Sequence, residues 1–577
     1  MKSKLFVFVL LACHAVAIAA GAQTTRQPPR DPDKIAAERE AGCKLKDELE
    51  QAIAQKLPRM VMAPGIYRVS PDSPNAAHLF FHNISNFELI ADGVQLICET
   101  KNTAISIIHC DHLKIRGITI DYDPLPMTQG TITAVSPHSL DFKIDDGYDA
   151  PDYDGKGVGH IWVADAVTRQ VKPGSVNYGS HKEIVDLGNK AYRLVTQWER
   201  RDAVRPGDHI KLPQRLNLRA PHGIDVYGSK ALTFENVTIE SAPCFGFVST
   251  WGEDISLNRV RVVPGPPPPG ATEPRIFSSS ADGINLQDNT RGPVIRNCMV
   301  TSNGDDGIAI YNQPDLVLGN EGAGSLLIGL NWPDPKRKVY APGDTLRFFL
   351  FQSGRTEERK IASVQPAPPP EDIEQIMKKC LKTFNKASYH RTVKVGLDSP
   401  LAGVAGDMVL DTRYAGRGFE ISNNVLVNNA SRGININQSY GTVSGNKVTH
   451  SYLPGIHMTE FMRTDSGGSS FQTSVDIKDN VVTDACIGYP GRKDWQGAIS
   501  IVAWDAGAGF VDGHSNISIT GNTIDKPNGI GIQVQCGSKI VIEGNIFGSL
   551  EKVGNAKNGA PAILLVHCNI DIGHGCG

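Results

Sequence analysis

The sequence lacks the features that mark membrane, nucleic-acid and phosphate-binding proteins. Beyond the first two dozen residues no apolar stretch reaches the 18 residues that a membrane-spanning helix requires. Lys and Arg number 58 against 61 Asp and Glu, a formal net charge of −3, so no basic balance points to nucleic acid. There is no Gly-rich phosphate loop and no serine nucleophile elbow. The eleven cysteines are irregularly spaced, with no C-x-x-C pair, which argues against a zinc site or a dense disulfide framework. Long helical patterns are few, because Gly (58) and Pro (36) interrupt the chain throughout its 577 residues.

The N-terminus has a clear character. Lys2 and Lys4 precede an apolar run from Leu5 to Ala20, and Ala20-Gly21-Ala22 offers a small-residue cleavage site. Residues 1–22 read as a signal peptide, which predicts an exported protein, periplasmic or extracellular. The "LLAC" ending at Cys13 resembles a lipoprotein acylation site, but the apolar run continues past it, so ordinary cleavage is the reading. Ten cysteines would remain, an even number that permits disulfides. Most sit in apolar strand-like runs, as Cys98 and Cys298 do, and read as small core residues.

The rest of the chain is built from a short repeat. One element sets apolar residues around an Asn: "LTFENVTI" (Asn236), "ISLNRVRV" (Asn258), "VIRNCMV" (Asn297), "ISNNVLV" (Asn424), "VSGNKVT" (Asn446), "IKDNVVT" (Asn480), "ITGNTID" (Asn522) and "VIEGNIF" (Asn545). The other is Gly followed by alternating apolar residues, at Gly223, Gly246, Gly283, Gly307, Gly433, Gly455 and Gly531. Intervals of 22–24 residues lie in the solenoid range, and strands this short bury a face only by stacking. The Asn, Asp and Gly at the corners suit turns that visit positive φ. The fold class is therefore all-β, a right-handed parallel β-helix. A helix from Pro32 to about Leu57 reads as its N-terminal cap. Two stretches with alternating polarity and a Pro-Gly-Asp before a strand break the rhythm and read as inserted small antiparallel β-barrels or sandwiches. The expected organisation is an N-terminal segment with the capping helix (23–75), first coils (76–125), insertion one (126–215), coils carrying the site (216–318), insertion two (319–411) and C-terminal coils (412–577).

One phrase recurs with a difference. "ADGINLQ" at 281–287 returns after 24 residues as "DDGIAIY" at 305–311, with Asp306 matching Asp282 and Asp305 preceding it. Adjacent strands lie about 4.8 Å apart, so the repeat should bring the three acids together, with Arg432 one coil on. Strand alternation turns Asn285, Gln287, Tyr311, Asn435, Asn437 and His457 outward as a ladder beside them. Arg417 and Arg432 could clamp a substrate or pair with the acids; Glu460 and Trp504 could line the same cleft. His222 and His457 are single and share no metal-ligand spacing. Close carboxylates repel, so one should keep its proton as a general acid while another, ionised, activates water. That is the chemistry of glycoside hydrolysis, and a gap that admits water gives inversion. Two alternatives use the same residues: Asn-Gly-Asp-Asp-Gly is also good turn chemistry, and turn carboxylates can bind Ca²⁺.

These residues resemble the polygalacturonase-type β-helix hydrolases of glycoside hydrolase family 28. They are more similar still to family 110, the exo-acting inverting α-galactosidases of bacteria. The 23-residue step from Asp282 to Asp305, "DYDPLPMTQGTITAV" opening insertion one, and "RGFEISNNVLVNN" after insertion two carry the likeness. The resemblance implies a catalytic trio of Asp282, Asp305 and Asp306, with Asp305 as the acid and the other two holding the water. It implies a carbohydrate substrate and neither metal nor cofactor. The polygalacturonase Gly-His-Gly and Arg-Ile-Lys motifs are absent, which argues against a polygalacturonate substrate. Competing functions are a polygalacturonase-like or other β-helix hydrolase or lyase, and a non-catalytic carbohydrate-binding β-helix.

Overall fold

The computed structural model describes residue 28 and residues 31–572, apart from 152–159, 176, 178–180, 198, 201–202, 215–220, 323, 332–339, 382–388, 390, 461–469, 489–496, 504–509, 511, 550–561 and 567. The expected signal peptide (1–22), Cys13 and Trp504 lie outside these residues.

The repeat folds into coils, each contributing one strand to each of three parallel sheets of eleven, twelve and eleven strands. The sheet that concerns function, here the site sheet, runs from Leu79–His82 to Ile563–Val566 and contains the strands Ile224–Tyr227, Phe247–Thr250, Ile284–Gln287, Ile308–Tyr311, Ile434–Asn437 and Ile456–Glu460. Inward residues such as Ile284, Leu286, Ile308, Ile310, Ile434 and Ile436 are fully buried in one continuous core. The fold is a parallel β-helix.

Two sequence features acquire a physical reason. A Cβ on Gly283 would lie 2.3 Å from a Val300 methyl and 2.8 Å from the carbonyl of Gly307. The repeated glycine is thus needed for close approach at an inner corner; Gly283 and Gly307 are not among the positive-φ glycines. The left-handed corners are filled instead by residues such as Asn236, Asn297 and Ser302. The asparagines of the C-terminal coils stack as a buried ladder. The Asn424, Asn446, Asn480 and Asn522 amides each donate at 2.9 Å to the next asparagine's Oδ1, ending at Asn545. In the earlier coil Cys298 occupies the inward corner and Asn297 turns out to bond Asn258 at 3.0 Å.

The capping helix spans Pro32–Ala54, started by Asp31, whose carboxylate accepts from the Asp33 N–H at 3.1 Å. It buries Gly42, Leu45, Leu49 and Ala52 against the first coil. The nine described cysteines are all free thiols.

The insertions leave opposite edges of the site sheet. The first interrupts the chain just before Ile224–Tyr227. Its strands Met127–Ser136, Ser139–Ile144, Trp162–Ala164, Glu183–Gly188, Ala191–Val195 and His209–Pro213 pair as a single antiparallel sheet. The second follows Ile308–Tyr311 and closes a six-stranded barrel from Asp315–Asn320 to Met408–Asp411. Ile308 nevertheless pairs directly with Ile434, so the coil stack continues unbroken across it. The first insertion docks on later coils: the Trp162 and Tyr452 rings lie 4.5 Å apart, the Tyr452 hydroxyl donates to the Ser175 carbonyl at 2.5 Å, and the His450 ring is 2.8 Å from the Val171 carbonyl.

Candidate active site

Asp282 and Asp306 sit at equivalent points on neighbouring coils, each just before the glycine that starts a site-sheet strand. The pairing Ile284 to Ile308 fixes the register, and the Gly283 N–H donates to the Asp306 carbonyl at 3.0 Å. Arg432 follows at the same point of the next coil, its carbonyl accepting from Gly307 at 2.9 Å.

The turn itself is built by Asn303. Its amide donates at 2.7 Å to the carbonyls of both Asp305 and Asp306. Asp282 and Asp306 tie coil to coil. Asp282 accepts from the Asp306 N–H at 3.3 Å and from the Asn285 amide at 2.6 Å. Asp306 accepts from the Arg432 N–H at 3.0 Å, from its guanidinium at 3.2 Å and from the Asn435 amide at 2.8 Å. Gln287 supports Asn285 at 2.9 Å, and Asn437 supports Asn435 at 3.3 Å. Two parallel relays therefore fix the two carboxylates from the strand side.

Asp305 is held from elsewhere. Its carboxylate lies 3.1 Å from His160 Nε2, and the two side chains keep 30 % and 39 % exposure. His160 belongs to the first insertion, and so do two further neighbours. Trp162 Nε1 donates to the Gly304 carbonyl at 2.7 Å. Lys211 lies beneath Gly304, where a Cβ would be 2.7 Å from its ammonium nitrogen. Lys211 is almost wholly buried, and its amine has no hydrogen-bond partner among the described residues.

These surroundings split the acids electrostatically. Burial pushes the Asp282 carboxyl well above the usual range, and the nearby charges of Asp305 and Asp306 add to the effect. Burial works in the same direction at Asp305, but the His160 imidazole, Arg432 and the Ser431 hydroxyl outweigh it and hold that carboxyl down to about 2. Burial pushes the Lys211 amine down to about 7, with Asp305 pulling it back up. One group thus favours its proton and another, on the adjacent coil, favours its charge.

The remaining ladder residues are placed as follows. Tyr311 is half-buried, bonded to Asn285, with its phenol pushed up by burial and by Asp282. His457 is fully buried and pairs in register with Asn435; burial, Arg432 and His514 push it well below its ordinary value. Glu460 is fully buried at the end of its strand. Arg417 is exposed, with its guanidinium carbon 3.8 Å from the centre of the Tyr440 ring. His222 stacks on Phe245, the ring centres 5.1 Å apart. Asp225, in the Asn285 column two strands earlier, is held up to about 6 by burial. Among the described residues no group of three or more His, Cys, Asp or Glu is arranged to hold a metal ion. Sequence reasoning missed His160, Trp162 and Lys211; no motif surrounds them, and they reach the acids only through the folding of the insertion.

No family model matches the chain. Among curated proteins it is 22% identical over 254 residues to α-1,3-galactosidase B of Bacteroides thetaiotaomicron, covering 41% of this chain and 40% of that protein. It is 26% identical over 254 residues to α-1,3-galactosidase A of Streptomyces avermitilis, covering 44% and 38%. The chain thus spans about two-fifths of the length of these relatives. Similar solved structures include the catalytic domain of a family 87 α-1,3-glucanase in complex with nigerose (TM-score 0.41, 10% identity, 92% of this chain and 67% of that one). An exopolygalacturonase from Thermotoga maritima also matches (TM-score 0.36, 10% identity, 92% and 87%).

Proposed function

We propose that the protein is an exo-acting glycoside hydrolase that removes a terminal α-linked galactosyl unit with inversion. The observation that carries this reading is the meeting of three carboxylates on adjacent coils, Asp282 and Asp306 fixed from the strand side and Asp305 set beside them against His160. In this reading Asp282 is the general acid that protonates the leaving oxygen. Asp305 is the base that takes a proton from water, and Asp306, clamped by Arg432 and Asn435, orients that water. The acid and base roles are exchanged relative to those the polygalacturonase resemblance implies; the His160 partner is the reason. Asn285, Gln287, Tyr311, Asn435 and Asn437 would meet sugar hydroxyls. Exo action needs a blocked cleft, and the insertions, which leave the chain at both edges of the site sheet, would supply its walls. The α-galactosyl preference draws its support from the names of the two relatives.

The test is galactose release from an α-1,3-linked galactoside by the wild type and by Asp282→Asn and Asp305→Asn. Each substitution should cost about 10²–10⁴-fold in kcat. Wild-type activity in both variants would refute the site, and no galactose release from any α-galactoside would refute the specificity.

A further inference from the structure

Asp305 is the acid that the coil stack does not use, and it is also the one acid of the three whose ion-pair partner comes from the first insertion. His160 Nε2 faces its carboxylate at 3.1 Å, while the Asn177 amide lies 2.6 Å from Nδ1 on the other side of the ring. With that amide as donor, the ring is neutral with its proton on Nε2, where it points at Asp305; in the imidazolium Nδ1 is also a donor, and the Asn177 amide turns its oxygen to it. The insertion meets the same turn twice more, through the Trp162 bond to the Gly304 carbonyl and by the close approach of Lys211 beneath Gly304. A sheet that starts more than a hundred residues earlier in the chain therefore sets the position of this carboxylate.

Resting on the hydrolase reading above, we propose that His160 is the positioning residue of the catalytic base: its Nε2–H orients the Asp305 carboxylate, and loss of the imidazolium charge switches that carboxylate on. In the reaction, the water oxygen bonds to the anomeric carbon as the glycosidic C–O bond breaks. The bond's electron pair leaves on the departing oxygen, which takes the Asp282 proton, and the water's proton passes to Asp305. Beside an imidazolium, Asp305 is too weak a base for that transfer. Beside a neutral imidazole that still donates through Nε2, it keeps its orientation and gains basicity.

The charged groups facing His160 are Asp305, Asp306 and Lys211. Burial of the ring works against its charge, but Asp305, with Asp306 behind it, more than compensates, so the imidazolium persists above the ordinary histidine range; Lys211 opposes this. The switch therefore lies above the ordinary histidine value, with the base active above it.

Two variants and one control decide the matter. His160→Gln keeps a donor but no titrating charge. Its acidic limb of kcat/KM should move down by about one pH unit or more, with activity at pH 7 kept within roughly tenfold. His160→Leu loses the donor and should lose about 10²-fold or more in kcat. Lys211→Met should leave the acidic limb where it is, apart from a small upward drift. An unmoved limb in His160→Gln, or one that disappears in Lys211→Met instead, overturns the proposal. NMR titration of the His160 ring gives a readout independent of turnover: its pKa should lie above 6.5 in the wild type and fall in Asp305→Asn. If the wild type hydrolyses no α-galactoside, the galactoside specificity fails on its own. An unchanged ring titration in Asp305→Asn refutes the His160–Asp305 coupling whether or not turnover is seen.

Discussion

At Asp305 the backbone asks nothing of the side chain. Asn303 closes the turn, and Asp282 and Asp306 bond one coil to the next, so a neutral isostere at 305 should leave the turn and the coil stack intact and lose only the His160 pair. Because His160 holds the Asp305 carboxyl below its unfolded value, that carboxylate stabilises the fold at neutral pH, and Asp305→Asn should cost about 1–2 kcal/mol in chemical denaturation at pH 7, fading as pH falls towards 2, while abolishing nearly all activity. Asp282 should behave differently. Its folded pKa is raised above the unfolded value, so the folded state binds more protons than the unfolded one between those two values. Wild-type stability is therefore lost as pH rises through that window, and Asp282→Asn removes the loss. The variant should melt higher than the wild type at pH 7, with the difference closing near pH 4, and be inactive at both. The stacking of Asp282 on Asp306 was legible in the sequence, because a 24-residue repeat of one phrase fixes it. The charge states were not. They depend on His160, which no sequence period relates to Asp305, and on burial, which alternation alone does not measure.

The elements show the same division. The asparagine repeat announced the coils, but not that the last five asparagines would point inward as a ladder. An inward Asn satisfies corner N–H and C=O groups that no strand partner reaches. Asn480 bonds Asn522, the Val443 carbonyl and the Asn446 amide, all at 2.9–3.0 Å. Asn480→Ala strands several of these buried groups and should cost about 1–3 kcal/mol or more in urea unfolding. The capping helix was legible from its pattern, ending three residues earlier than the sequence suggested. Gly42 within it was not an obvious requirement. A Cβ there would stand 1.7 Å from the Arg68 carbonyl oxygen, so the helix lies directly on the first coil. Gly42→Ala must displace the cap and should destabilise by about 1–3 kcal/mol, although alanine is the better helix former.

Across the whole molecule, the insertions interrupt a regular stack, and the first of them brings His160 beside Asp305. Their positions were visible as breaks in the repeat, but their docking was not, since it joins residues 160–175 to residues 428–487. Trp162, Val171, Ala430, Tyr452 and Ile487 form one buried cluster at that junction. Tyr452→Ala should loosen the insertion, costing about 3–5 kcal/mol of its packing, and should lower kcat because His160 and Lys211 lose their seat. The most direct measurement of the central claim is proton NMR of the first-formed galactose from an α-1,3-linked galactoside, run with the wild type and Asp305→Asn in parallel. β-Galactose should appear first from the wild type, with almost no product from the variant. α-Galactose appearing first, or wild-type turnover by Asp305→Asn, would contradict it.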